Sequence, residues 1–233
     1  EEMRLHHDHR RAAEIEHDLG LDAGGWAALL HTDQDPRLDA VCAEITPGLA
    51  ALHRRSDEDL DLGSATRVDL ARRDDPLAAA FRSAVGTFRP GFIPRLYRGA
   101  SGVAPRHLPA RPPASVFPKD FEEPLPAGAL RFAVGRHVAH YRTSHRICTM
   151  LREPDVLESV VDAALRIGLS IEAETPDQER MMGLLREHMT EGNVSDLRAA
   201  CESLGAAPGR VDLDTWRRAV DRHEAAQVRL DRG

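Results

Sequence analysis

The sequence predicts an α+β fold, predominantly helical, with a central helix and a small β-sheet at its edge, and three observations carry that expectation. Apolar residues recur at helical spacing along most of the chain. Asp-Pro and Thr-Pro pairs stand in front of those periodic stretches, where a capping side chain and a proline at the first helical position start a helix. Between Pro90 and Pro118 the pattern changes to short alternating runs broken by Gly and Pro, the mark of strands and loops.

In order along the chain, Glu2 to Leu19 reads as a charged helix stopped by Gly20, and Ala23 to His31 as a short second one. His6, His7, His9 and His17 lie on the first. Four histidines on a polar helix are expected to be solvated, a transition-metal site near the terminus being the alternative. Asp35-Pro36 starts a helix whose stripe is Leu38, Val41, Cys42, Ile45, Leu49 and Leu52, with an interruption expected near Pro47-Gly48. Ser56 to Thr66, holding Asp57, Glu58, Asp59 and Asp61, is a polar connection without the spacing or closing Glu of a calcium loop. It divides the chain into an N-terminal helical segment, 1–65, and a larger domain, 66–233.

Asp75-Pro76 opens a helix over Leu77 to Phe88. Phe92 to Arg98 and Ser115 to Phe117 read as strands, and their prolines and short runs assign them to sheet edges. From Leu130 a further helix places Leu130, Val134, His137, Val138, Tyr141, His145 and Cys148 within an arc of roughly 100°, with Arg131, Gly135, Ala139 and Arg142 outside it. Helices follow over Val156 to Ile167, over Asp177 to Met189 behind Thr175-Pro176, over Val194 to Leu204 between Asn193 and Gly205, and from Asp212 or Asp214 to Leu230. Met181, Leu184, Leu185 and His188 share one side of the second of these, and the run from 155 to 205 leaves an α-solenoid-like packing open.

Composition bounds the function. A chain of 233 residues, 42% hydrophobic, buries a sizeable core. No apolar run reaches the ~18 residues of a membrane helix, and no charged start leads into an apolar run as in a signal peptide. That the chain opens on Glu1 is compatible with a piece of a longer protein. Three cysteines, Cys42, Cys148 and Cys201, are an odd number without Cys-x-x-Cys spacing, which fits a reducing, cytoplasmic setting and buried thiols. The net charge of -7 conceals a basic segment, 89–152, with eleven Arg or Lys against three acids. Acidic helices of the same chain are expected to answer it, so nucleic acid is not an expected partner. No Gly-x-Ser-x-Gly elbow or Gly-rich phosphate loop is present, and Ser144-His145 adjacency does not make a triad.

The remaining motif is Arg136-His137-Val138-Ala139-His140. In zinc peptidases His-Glu-x-x-His works because residues four apart share a helix face, so two imidazoles reach one metal and the Glu reaches its water. With its lead-in Ala129-Leu130-Arg131-Phe132-Ala133-Val134-Gly135, the segment resembles the active-site helix of the HtpX-like, CAAX-prenyl-protease-type zincins, by motif over about 20 residues and by order of elements over 75–150. The resemblance implies a zincin-like central helix in which Arg136 replaces the first imidazole, His137 the general base, and His140 alone keeps a ligand position. It places a third ligand on the last helix, at Asp221 or Glu224, although Glu-x-x-Ala-Asp is not reproduced there. A guanidinium has no lone pair for a metal, so no cofactor is expected. If zinc is held, the ligands implied are His137, His140 and Glu224. Arg136 either pairs with Asp221 or Glu224 in the place of the metal or extends to solvent.

The expectation is therefore a non-catalytic metallopeptidase-like domain acting as an interaction or scaffold module with a protein partner, away from membranes. Two other readings stay open: an atypical metal-dependent hydrolase, and an all-helical adaptor without a sheet.

Overall fold

The computed structural model describes residues 20–21, 23–53, 60, 62–101, 104–205 and 210–226. The helix expected over Glu2 to Leu19, with its four histidines, lies outside the described residues. The elements in order are α1 (Ala23–Leu29), α2 (Pro36–Leu52), β1 (Thr66–Arg67), α3 (Pro76–Phe88), β2 (Arg95–Gly99), β3 (Arg106–Leu108), β4 (Ala114–Pro118), α4 (Ala127–Ala139), α5 (Thr143–Met150), α6 (Pro154–Gly168), α7 (Pro176–Glu187), α8 (Glu191–Leu204) and α9 (Leu213–Ala226). This is a predominantly helical α+β chain with one small mixed sheet, which departs from the all-helical reading. Among the described residues no helix is long and apolar enough to cross a membrane. The chain forms two compact units, Glu1–Ala28 with Arg54–Tyr141, and Leu29–His53 with Arg142–Gly233.

In the first unit the strand order is β1-β2-β4-β3, with β2 and β4 parallel and the outer pairs antiparallel. The two strands expected at the edges are thus the inner ones. Prolines mislead here because they fall beside the paired segments or, as Pro118 does, at their last position; Pro113 even accepts the Arg95 N–H at 2.8 Å through its carbonyl. The true edges, two and three residues long, are too short for alternation to reveal.

Every residue of β4 is buried. Its alternation sends Ala114 and Val116 to a cluster with Leu60, Tyr97 and Ala110, and Ser115 and Phe117 to the other face. There Phe117 meets Phe81 of α3 edge-on, with centroids 6.3 Å apart. Helix α3 starts on Asp75, whose carboxylate accepts the Ala78 N–H at 2.9 Å and also holds the Arg98 guanidinium bidentately at 2.6 and 3.0 Å. One aspartate therefore caps the helix and ties it to β2, and the Arg98 hydrogen bonds hold its carboxyl below the usual range.

The expected continuous helix from Leu130 to about 146 is two helices. Helix α4 ends at Ala139, the Tyr141 N–H closes a tight turn on the Val138 carbonyl at 2.9 Å, and Arg142 is extended with ψ 136. Leu130, Val134, His137 and Val138 face the core of the first unit, whereas His145 and Cys148 belong to α5 in the second. The periodicity runs on by coincidence. Thr143 and Ser144, whose hydroxyls favour helix starts over interiors, mark the new beginning.

In the second unit α2 starts where Asp35-Pro36 predicts, with the Asp35 carboxylate accepting the Arg37 N–H at 2.9 Å. It is not interrupted at Pro47-Gly48. Cys42, Ile45 and Leu49 are all within 1% of full burial, so packing on both sides of Pro47 holds one axis, and the Thr46 hydroxyl donates to the Cys42 carbonyl at 2.7 Å beside the proline. Gly48 serves close approach: a Cβ there would stand 3.3 Å from the His188 carbonyl oxygen. Helix α6 buries Leu157, Val160, Val161, Ala164 and Leu165 in the same cluster, at about 1.5–3 kcal/mol for each large aliphatic side chain. Helices α7 and α8 begin with capping boxes, Thr175 with Gln178 and Thr190 with Asn193. Asn193 is thus the third helical residue rather than the residue before the helix. On α7 Leu185 is buried but Leu184 is 38% exposed, so the expected stripe is narrower.

Gly168 lets α6 and α8 touch: an added Cβ would meet Cys201 Sγ at 2.5 Å and the Leu197 carbonyl oxygen at 3.2 Å. Although alanine is the better helix former by about 1 kcal/mol, Gly168→Ala is expected to destabilise the protein by about 1–3 kcal/mol in urea unfolding, and by less in a Cys201→Ala background. A Gly168→Ala protein as stable as the wild type would contradict this packing.

Candidate functional site

Helix α4 positions the residues singled out from the sequence. Leu130, Val134 and Val138 are buried, turning the opposite side outward, and Arg136 is exposed on it. His140, at the C-terminal end, is half-buried, with Nδ1 3.4 Å from the Arg136 carbonyl. Asp221 is an exposed residue of α9, and Glu224 lies one turn further along the same helix. The first three candidates belong to one compact unit and the last two to the other.

His137 is turned into the core. Its Nε2 lies 2.9 Å from Ser115 Oγ, which lies 2.7 Å from Tyr141 OH, and the three form a closed hydrogen-bonded chain. His107 of β3 lies flat on it: the rings stack at 3.7 Å with 4° between planes, and His107 Nε2 donates to the His137 carbonyl at 2.9 Å. Phe117 closes another side at 4.7 Å, and the His140 ring is 5.6 Å from that of His107. Burial foremost, with His107 and His140 adding to it, pushes His137 well below its ordinary value of 6.5, so its imidazole is neutral.

Chemically this is a packed polar core. Ser115 has no exposed surface, so its hydroxyl meets no substrate. Of the two ring nitrogens of His137, Nε2 is engaged by Ser115. Among the described residues no three His, Cys, Asp or Glu side chains converge to hold a metal ion. The sequence singled out His137 and missed its partners: a single His in a three-residue strand carries no signal that points 30 residues ahead.

The second unit holds a polar cluster that sequence reasoning did not find. The Asp39 carboxylate, 4% exposed, accepts from Gln34 Nε2 at 2.7 and 2.8 Å and from Trp216 Nε1 at 2.9 Å, and forms an ion pair with Arg142 Nη1 at 3.1 Å. His145 Nε2 lies 2.6 Å from the Gln34 amide nitrogen; since that nitrogen only donates, His145 accepts through Nε2 and carries its proton on Nδ1. Burial raises the Asp39 pKa against the pull of Gln34, Arg142 and Trp216, and burial lowers that of Arg142 against the pull of Asp39. An acid embedded between Leu38 and Val41 of an apolar stripe was the one available signal.

The cysteines are free thiols, with Cys42 and Cys201 buried. Burial first of all pushes Cys148 up to about 12 and Cys201 to about 11, and Cys42 well up, which favours the neutral thiols.

Compared with known protein families, curated proteins and solved structures, the chain matches none.

Two outcomes follow from the clusters. An unfolded histidine takes a proton below about pH 6.5 while folded His137 does not, so stability is full above that pH and falls below it, by up to about 1.4 kcal/mol per pH unit. Urea unfolding between pH 7.5 and 5.5 should show this slope, flattened in His137→Gln. Asp39→Ala leaves the buried Gln34 and Trp216 donors without their acceptor and Arg142 without its counter-charge, and is expected to cost about 3–5 kcal/mol, whereas Asp39→Asn, which keeps an acceptor oxygen and removes the buried charge, should cost less than half of that. Equal losses in the two variants would contradict the assignment.

Proposed function

We propose that the chain is a non-catalytic, metallopeptidase-like module that works in the cytoplasm by binding another protein. One observation carries the reading. On the helix that resembles a zinc-binding one, Arg136 stands exposed where an imidazole would be, and the His137 side chain is turned inward, its Nε2 on Ser115 and its ring on His107. Helix, turn and strand contacts are kept while the groups that would ligate a metal and activate water are engaged in packing or replaced by a fixed cation. Strands of a small sheet precede that helix in the chain, as the resemblance implies, although β3 stands where a loop was expected between β2 and β4.

Charge supports a protein rather than a nucleic acid as partner. Two arginines of the basic segment are answered within their own units, Arg98 by Asp75 and Glu122 and Arg142 by Asp39. The free cysteines fit a reducing compartment.

Elemental analysis of the purified full chain after exhaustive dialysis tests the reading, with well under one zinc per chain expected. One zinc per chain, lost in His140→Ala, would overturn it in favour of a metal-dependent hydrolase.

A further inference from the structure

The second unit carries a groove of about 720 Å3, within the range of clefts that hold ligands. Its floor is apolar: Ile167 and Met182 are buried there, and Val194 packs beside them. One wall is the non-helical stretch between α6 and α7, where Ile171 leaves 37% of its surface exposed. The Ile171 N–H is bonded to the Arg166 carbonyl at 2.8 Å and the Glu174 N–H to Gln178 Oε1 at 2.8 Å. Between them the N–H groups of Glu172 and Ala173 make no hydrogen bond among the described residues. The side chains of Glu172, Glu179, Arg186 and Arg198, which also line the groove, make no ion pair there either, whereas Glu174 is held by Arg166 at 3.2 Å.

We infer that this groove binds an extended segment of a partner protein, which gives backbone carbonyls to the Glu172 and Ala173 N–H groups, apolar side chains to the floor, and a basic and an acidic residue to Glu179 and Arg198. The charges choose the occupant. A lipid chain would not be met by free charges of both signs, and an anionic polymer would find no net positive charge, because Glu172 and Glu179 offset Arg186 and Arg198; a peptide offers apolar, cationic and anionic side chains on one backbone. Met182 suits the floor, because an unbranched thioether adapts to the side chain presented. The inference rests on the reading of the chain as an interaction module and names the surface and its ligand.

The test selects random twelve-residue peptides, displayed on phage, against the immobilised full chain. Enriched peptides with apolar residues at alternating positions and charges of both signs are expected, and a synthetic copy should slow hydrogen exchange at the Glu172 and Ala173 amides. The double variant E179R/R198E changes exposed residues and keeps the net charge; it should bind that copy about tenfold more weakly and regain affinity for a copy with its two charges exchanged. No enrichment, or binding that is indifferent to the exchange, overturns the proposal. Peptides that protect amides of the first unit instead would overturn the groove and leave the interaction reading standing. One zinc per chain with His140-dependent hydrolysis would remove that reading while leaving a charge-sensitive groove intact.

Discussion

The second unit depends on one buried carboxylate. Asp39 sits in the first turn of α2 and gathers partners from Gln34 ahead of that helix, from the chain just ahead of α5 and from α9, so three separate stretches take their places relative to one side chain. Burial disfavours both its charge and that of Arg142. The cluster is therefore weak as a source of net stability, which the surrounding aliphatic side chains supply. Its contribution is register: Trp216 could slide along an apolar surface at little cost, but its N–H meets Asp39 at one position only.

The first unit uses a neutral version of the same device. Ser115, His137 and Tyr141 link β4 to α4 through hydrogen bonds that carry no charge, and His107 adds β3 by stacking. These hydrogen bonds and ring contacts hold α4 on the sheet.

Local chemistry was legible in the sequence, and long-range pairing was not. Asp35, Asp75 and Thr175 cap the helices that their following prolines announce, because a cap and its target lie within four residues. Pro47-Gly48 was misread because the same residues that break isolated helices are tolerated when packing holds both flanks, and Gly48 answers to a neighbouring backbone. The break between α4 and α5 was hidden by an apolar stripe that runs through it while its two halves serve different cores. Gln34 and His145 are 111 residues apart and Asp39 and Trp216 are 177 apart, separations at which no period or motif survives. The candidate site was legible only as far as His137 itself; that its ring nitrogen turns to a serine of the preceding strand is a property of the sheet.

The interleaving of the two units has a consequence during synthesis. Helix α2 belongs with α5, α6 and α8, yet the chain from Arg54 to Tyr141, which builds most of the first unit, is made in between. At ~5–20 residues per second, roughly 90 residues take several to about 20 seconds to emerge, far longer than a helix needs to form. Throughout that interval Leu38, Val41, Ile45 and Leu49 have no native surface to cover them. The nascent chain thus presents an apolar ridge to its surroundings until α5 leaves the ribosome.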